Sequence, residues 1–242
     1  KTELACLMPL AAARAGFVYV PVNPVLKPTQ VRHILEDSGA RLLIANSARV
    51  KALADMPVNS GCAVHDEKAV LDAVENIVDP VAPSDPAKDT DGLVAILYTS
   101  GSTGRPKGVM LSHANLSLGA ESVAEYLKLA PDDRTLCVLP LSFDYGQNQL
   151  FSTWAAGGCA VPLDYLTARD VIKACGRERI TVLAAVPPLW VQLVDQPWPE
   201  EAVVAMRRLT NSGGALTPRL VRELRDRKST RLNSSHDQTS YA

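Results

Sequence analysis

No run of apolar residues here is long and clean enough to span a bilayer; the best stretch, Leu4 to Val22, is broken by Pro9, Arg14 and Pro21. Charge of one sign is also missing. The 25 basic and 26 acidic side chains leave a formal net charge of −1, so nothing points to a nucleic-acid or anionic-membrane partner. The five cysteines, Cys6, Cys62, Cys137, Cys159 and Cys175, contain no Cys-x-x-Cys pair. They read as reduced, mostly buried thiols of a cytoplasmic protein. His33 and His65 stand alone without metal-ligand spacing, so no metal site is read from them. The three tryptophans read as core or pocket-wall residues rather than a stacking platform. What remains is ordinary globular usage. With 242 residues, 47% of them hydrophobic and 21% charged, the chain can bury a sizeable core in one large or two small domains.

Short apolar runs alternate with helical periodicity along the chain. Strands are expected over 17–22, 41–45, 93–97, 109–111, 135–139, 159–162, 180–184 and 208–211. Helices are expected over 29–38, 48–55, 147–156, 168–175, 188–194 and 218–224, with another from an N-cap at Ser112 to about Leu129. Residues 76–92 carry three prolines and four aspartates without periodicity and read as a connection between lobes. Such alternation predicts an α/β fold with largely parallel sheets covered by helices.

One segment carries specific chemistry: Tyr98-Thr99-Ser100-Gly101-Ser102-Thr103-Gly104-Arg105-Pro106-Lys107-Gly108. Glycines let backbone approach a ligand closely, and successive N–H groups in such a turn form a concavity for anions. Hydroxyls add short donors, and lysine adds a compact cation suited to phosphate. The run is built to hold a polyphosphate. It is not the phosphate loop of common NTPases, because Pro106 precedes Lys107 and Gly108 follows it where that motif needs Gly-Lys-Ser/Thr.

The whole run resembles the phosphate-binding signature of the AMP-forming adenylate synthetases, the superfamily of acyl-CoA synthetases, nonribosomal adenylation domains and luciferases. Arg14 to Pro24 is similar to a core segment of that family, with Phe17 in place of a small residue. Ala185-Val186-Pro187-Pro188 resembles its strand-to-helix corner lining the acyl pocket, and Ser212-Gly213-Gly214-Ala215-Leu216 its Ser-Gly-Gly-Ala-Pro-Leu stretch, with Leu216 in place of proline. The stretch Ser142 to Leu150 is similar to AMP-forming ligases associated with the exosortase export system. The resemblance implies that residues 1–225 are an interior part of the family's large N-terminal domain.

It also implies a reaction: ATP activates a carboxylic acid as an acyl-adenylate, and a thioester then forms with CoA or a carrier-protein phosphopantetheine. Thr99, Ser100, Gly101, Ser102, Thr103 and Gly104 would cradle the phosphates, Lys107 and Thr103 would act on the transferring group, and Gly214 and Ala215 would lie beside adenine. Phe143, Asp144, Tyr145, Gly146, Val186 and Gly213 would form the substrate site. Asp144 leaves two readings open. It could pair the ammonium of an amino-acid substrate, as in amino-acid-activating relatives, or cap the helix that follows. His113 matches a structural corner of the family.

The family's Tyr-Gly-x-Thr-Glu segment, whose glutamate helps to hold Mg2+, does not occur, and neither do its ribose-binding aspartate nor its C-terminal catalytic lysine. A truncated nucleotide-binding protein without activity therefore stays open beside the ligase and the carrier-loading amino-acid adenylation domain. Asp226 to His236 and Ser240-Tyr241-Ala242 resemble a translated sequencing adapter. Residues 226–242 are expected to be a non-native tail, and His236 is not counted as a candidate base.

Overall fold

Short polar side chains set most helix starts in the computed structural model, which describes residues 1–54, 61–77, 90–99 and 106–226. These fall into two units: Thr2–Asn115 with Leu141–Phe143, and Leu116–Pro140 with Lys1 and the residues from Asp144 onward.

In the first unit, α1 (Glu3–Arg14) begins where Thr2 Oγ1 accepts the Ala5 N–H at 3.2 Å. Helix α2 (Pro28–Ser38) has proline where an N–H would lack a partner, and it ends at Gly39 with φ of 65°. It buries Val31, Ile34 and Leu35, the helical spacing legible in the sequence. Strand β1 (Leu42–Ala45), helix α3 (Ser47–Leu53), strand β2 (Ala63–Asp66) and helix α4 (Glu67–Glu75) follow. Asn46 and Asp66 cap α3 and α4 by accepting the N–H groups of Arg49 and Lys68, each at 2.9 Å. β1 and β2 pair in parallel, Leu42 opposite Ala63. Strands β3 (Leu93–Thr99) and β4 (Lys107–Ser112) form an antiparallel hairpin, the exception to the expected parallel pattern.

The strand expected over 17–22 shrinks to one bridge, Tyr19 with Ala95. Pro21 and Pro24 have no N–H to extend a ladder, so pairing stops after Tyr19 has exchanged bonds with Val94 and Ile96. Helices α1 and α4 and strand β2 are elements the periodicity did not single out. Most of the connection expected over 76–92, namely 78–89, lies outside the described residues.

Helix α5 (His113–Tyr126) carries the boundary between units, and Ser112 Oγ accepts the Asn115 N–H at its start. The second unit continues with β5 (Arg134–Cys137), α6 (Asp144–Ala155), β6 (Cys159–Pro162), α7 (Ala168–Arg177), β7 (Val182–Ala185), α8 (Pro187–Val194), α9 (Glu200–Val203), β8 (Arg208–Asn211) and α10 (Pro218–Asp226). The sheet runs β6-β5-β7-β8, all parallel. All four residues of β7 are buried, as expected for a strand covered on both faces. Leu136, Val171, Ile180, Leu183, Trp190 and Leu193 lie at the centre of its core. Cys6, Cys137 and Cys175 are buried as expected, whereas Cys159 is exposed. Beyond Asp226, the tail lies outside the described residues.

One buried carboxylate aligns the sheet. Asp133, 1% exposed, accepts the Ala130 N–H at 2.9 Å and the Thr181 hydroxyl at 2.6 Å, and it faces Arg207 at 3.2 Å and Arg208 at 3.9 Å. Its own carbonyl accepts the Cys159 N–H at 2.8 Å. Asp133 precedes β5, Thr181 precedes β7, and Arg207 and Arg208 begin β8, so all four strands start from this residue.

Asp133→Ala is expected to destabilise the chain by about 3–5 kcal/mol, because it leaves the partly buried Arg208, the Ala130 N–H and the Thr181 hydroxyl without this carboxylate, while Arg207 keeps Asp132 at 3.2 Å. Asp133→Asn should cost less. Urea midpoints measure both, and an alanine variant as stable as wild type contradicts this role. Gly146→Ala is a second case: a Cβ there would sit 1.9 Å from the Pro140 carbonyl oxygen. Overpacking of this kind should lower stability by roughly 1–3 kcal/mol, read from the same midpoints.

Candidate functional site

The polyphosphate-type run is the connection of the β3–β4 hairpin. Leu97 pairs with Val109, Tyr98 with Gly108 and Thr99 with Lys107. Thr99 and Lys107, both exposed, therefore close the turn. Ser100, Gly101, Ser102, Thr103 and Gly104 lie outside the described residues.

The stems of this turn are anchored to α2. The Tyr98 hydroxyl donates to Asp37 Oδ2 at 2.6 Å. Burial, and then the Asp37 carboxylate, push that phenol well above its ordinary range, so it stays a neutral donor. On the other stem, His33 Nε2 lies 3.1 Å from the Pro106 carbonyl oxygen, to which its Nε2–H tautomer donates. Gly108 has its own reason. A Cβ there would come 2.7 Å from Ile96 Cγ2 and 3.2 Å from Tyr98 Cζ, so the Ile96 side chain, and then the tyrosine ring, leave room only for a residue without a side chain.

In the second unit the other expected residues gather at the carboxyl ends of parallel strands, where open α/β sheets place ligands. Val186 follows β7 and begins α8. Ser212 to Ala215 follow β8 as an exposed turn; Gly213 has φ of 78°, and a Cβ on it would meet Val186 Cγ1 at 3.5 Å. Gly214 lies against Pro187, and its carbonyl accepts from Asn211 Nδ2 at 2.7 Å. Phe143 is 50% exposed. Asp144 is the first residue of α6 and exposed; among the described residues its carboxylate makes no hydrogen bond or ion pair, capping bonds included.

A cavity of about 130 Å3 lies between α5, α6 and the sheet. Asp144 and Tyr145 line it; Gly146, Val186, Gly213, Gly214 and Ala215 do not. The Tyr145 hydroxyl is 2.9 Å from Thr210 Oγ1, and burial raises its pKa to about 12. Asn148, Gln149, Thr210 and Ser212 also line the cavity. None of these four was given a site role from the sequence, although Asn148 and Gln149 fall in the stretch Ser142 to Leu150 and Ser212 begins the glycine run; Asp144, Asn148 and Ser152 share an i, i+4 spacing that puts them on one helix face. A larger open groove of about 430 Å3 in the first unit, between Thr2, Leu7, Asn46 and Glu67, contains none of the expected site residues.

Among the described residues there is no group of three or more His, Cys, Asp or Glu that could hold a metal ion. No described helix is long and apolar enough to cross a membrane.

Known proteins share sequence and fold with this chain. The chain is 31% identical to feruloyl-CoA synthase from an Amycolatopsis species over 209 residues, which are 86% of this chain and 41% of that protein. It is also 31% identical to tyrocidine synthase 3 of Brevibacillus parabrevis over 217 residues, 88% of this chain and 3% of that protein. ATP-bound MatB from Rhodopseudomonas palustris has the same fold at a TM-score of 0.83 and 27% identity, over 93% of this chain and 46% of that one. The chain thus spans less than half the length of these relatives. Residues 4–234 match the family described as AMP-binding enzyme, and with its signature on a hairpin connection and its parallel sheet, the chain belongs to that family.

Proposed function

We propose that this chain is part of an AMP-forming ligase that activates a carboxylic acid with ATP and then passes the acyl group to a thiol. The observation that carries this reading is the register of the hairpin, which sets Thr99 opposite Lys107 across the turn bearing the full signature. In the first step a carboxylate oxygen bonds to the α-phosphorus while the bond to pyrophosphate breaks, giving an acyl-adenylate. Both reactants are anions. Catalysis must therefore come from positioning and charge neutralisation rather than from a protein nucleophile.

Lys107 places an exposed ammonium at the stem of the turn, and the hydroxyls and N–H groups of residues 99–104 would receive the phosphates. Gly213, Gly214 and Ala215 form an exposed turn with almost no side chain, which lets a flat base approach closely. Bound Mg2+ would supply further positive charge on the phosphates. In the second step the thiol of CoA, or of a carrier-protein phosphopantetheine, displaces AMP. Feruloyl-CoA synthase and the ATP-bound MatB structure are the relatives that favour this reading.

One observation favours a second reading, an amino-acid adenylation domain that loads a carrier protein. Asp144 lines the cavity with an unengaged carboxylate, where a substrate ammonium would pair with it. Similarity to tyrocidine synthase 3 supports this alternative.

In the parent enzyme, Lys107→Ala should slow ATP–pyrophosphate exchange by roughly 10²-fold, the scale of losing one electrostatic stabiliser. Exchange at the wild-type rate would rule out the role given to Lys107. Asp144→Gly should lower kcat/KM for amino acids at least about tenfold, with little effect on acids lacking an amine. Equal losses for both classes would leave Asp144 without a part in ammonium recognition.

A further inference from the structure

Helix α2 reaches both stems of the signature turn with two side chains one helical turn apart. Asp37 accepts the hydroxyl of Tyr98, the next-to-last residue of β3, at 2.6 Å. His33 Nε2 lies 3.1 Å from the carbonyl oxygen of Pro106, the residue before β4. A carbonyl only accepts, so His33 is the donor. Positions i and i+4 of a helix are about 6 Å apart along its axis, and paired strands run about 4.8 Å apart. One helix face therefore matches the two stems of a hairpin.

These two bonds act beyond the ladder. Backbone pairing already sets the register of the hairpin and ends at Thr99 and Lys107. Pro106 has no N–H with which to extend it. Its carbonyl belongs to the planar peptide that leads into Lys107, so the His33 bond fixes the plane from which Lys107 starts. On the other stem, Tyr98 is 9% exposed whereas Thr99 is exposed, so Asp37 holds the last buried residue of β3 before the turn. Helix α2 is itself held from its opposite side: Val31 and Leu35 are buried with Leu53, and Val22, Leu26 and Leu43 pack against them. A lysine ammonium rides on a flexible four-carbon stem, so what the fold can control is where that stem begins.

We infer that His33 and Asp37 are positioning residues for ATP: they clamp the two stems so that Lys107 meets the β- and γ-phosphates, acting through Pro106 and Tyr98 rather than by contact with the nucleotide. The inference rests on the phosphate-binding role given to Lys107 in the ligase reading, but not on the identity of the acid.

The test is calorimetric titration of the parent enzyme with ATP and with AMP, which lacks the β- and γ-phosphates. His33→Leu removes the donor and should weaken ATP roughly fivefold or more, the scale of one net hydrogen bond, with AMP changed less than about twofold. His33→Gln, which keeps an N–H donor, should restore ATP affinity. Tyr98→Phe keeps the ring and drops the hydroxyl, and it carries the same expectation as His33→Leu, so misfolding of one variant leaves the test intact. Asp37→Asn still accepts and should stay near wild type. In a Lys107→Ala background, His33→Leu should cost ATP little more, because residues that act as a unit are not additive. Equal losses for ATP and AMP, full additivity with Lys107→Ala, or wild-type ATP affinity in both His33→Leu and Tyr98→Phe overturns the inference. The ligase reading then still stands if the parent catalyses ATP–pyrophosphate exchange. A parent that exchanges with no acid loses the ligase reading, while the ATP and AMP titrations still decide the clamp.

Discussion

The second unit depends on a single carboxylate taken out of water. Asp133 has no exposed surface to speak of, yet it is surrounded by an N–H of the turn before β5, a hydroxyl at the start of β7 and two guanidinium groups at the start of β8. A buried charge is tolerable only when such partners converge on it. Convergence is also what aligns four strands of only four residues each, which have few ladder bonds of their own to define register. With the amino ends of the sheet pinned, its carboxyl ends can carry turns of unusual backbone, including the glycine of positive φ at 213 and the corner at Val186.

The proposed substrate cavity follows from the same arrangement. Helix α6 crosses the sheet with Gly146 against the Pro140 carbonyl, an approach that any larger residue would prevent. The close approach brings the Gln149 amide onto the carbonyls of β5 and β7 and leaves its oxygen over. In the first unit, a comparable economy of side chains operates. Gly108 has no side chain where Ile96 and the ring of Tyr98 already fill the space, and the same tyrosine ties the hairpin to α2 through Asp37. Two residues of the signature thus serve the scaffold of the turn, while Thr99 and Lys107 remain exposed at its mouth.

Local chemistry was legible in the sequence by itself. The signature at 98–108, the alternation of strands and helices, the helical spacing of Val31, Ile34 and Leu35, and the cap at Ser112 all act over a few residues, so adjacent letters suffice to read them. The overlong strand at 17–22 was a misreading of apolar content over the missing N–H groups of Pro21 and Pro24, which were equally visible. Tertiary structure decided what adjacent letters cannot. Asp133 meets Thr181 and Arg207 across 48 and 74 residues, and Gln149 is oriented by carbonyls 13 and 35 residues away. A buried polar atom acquires its meaning only from partners brought together by folding. The sequence therefore determined the family and its signature run, whereas the alignment of the sheet and the orientation of the Gln149 amide arose only once distant strands had packed.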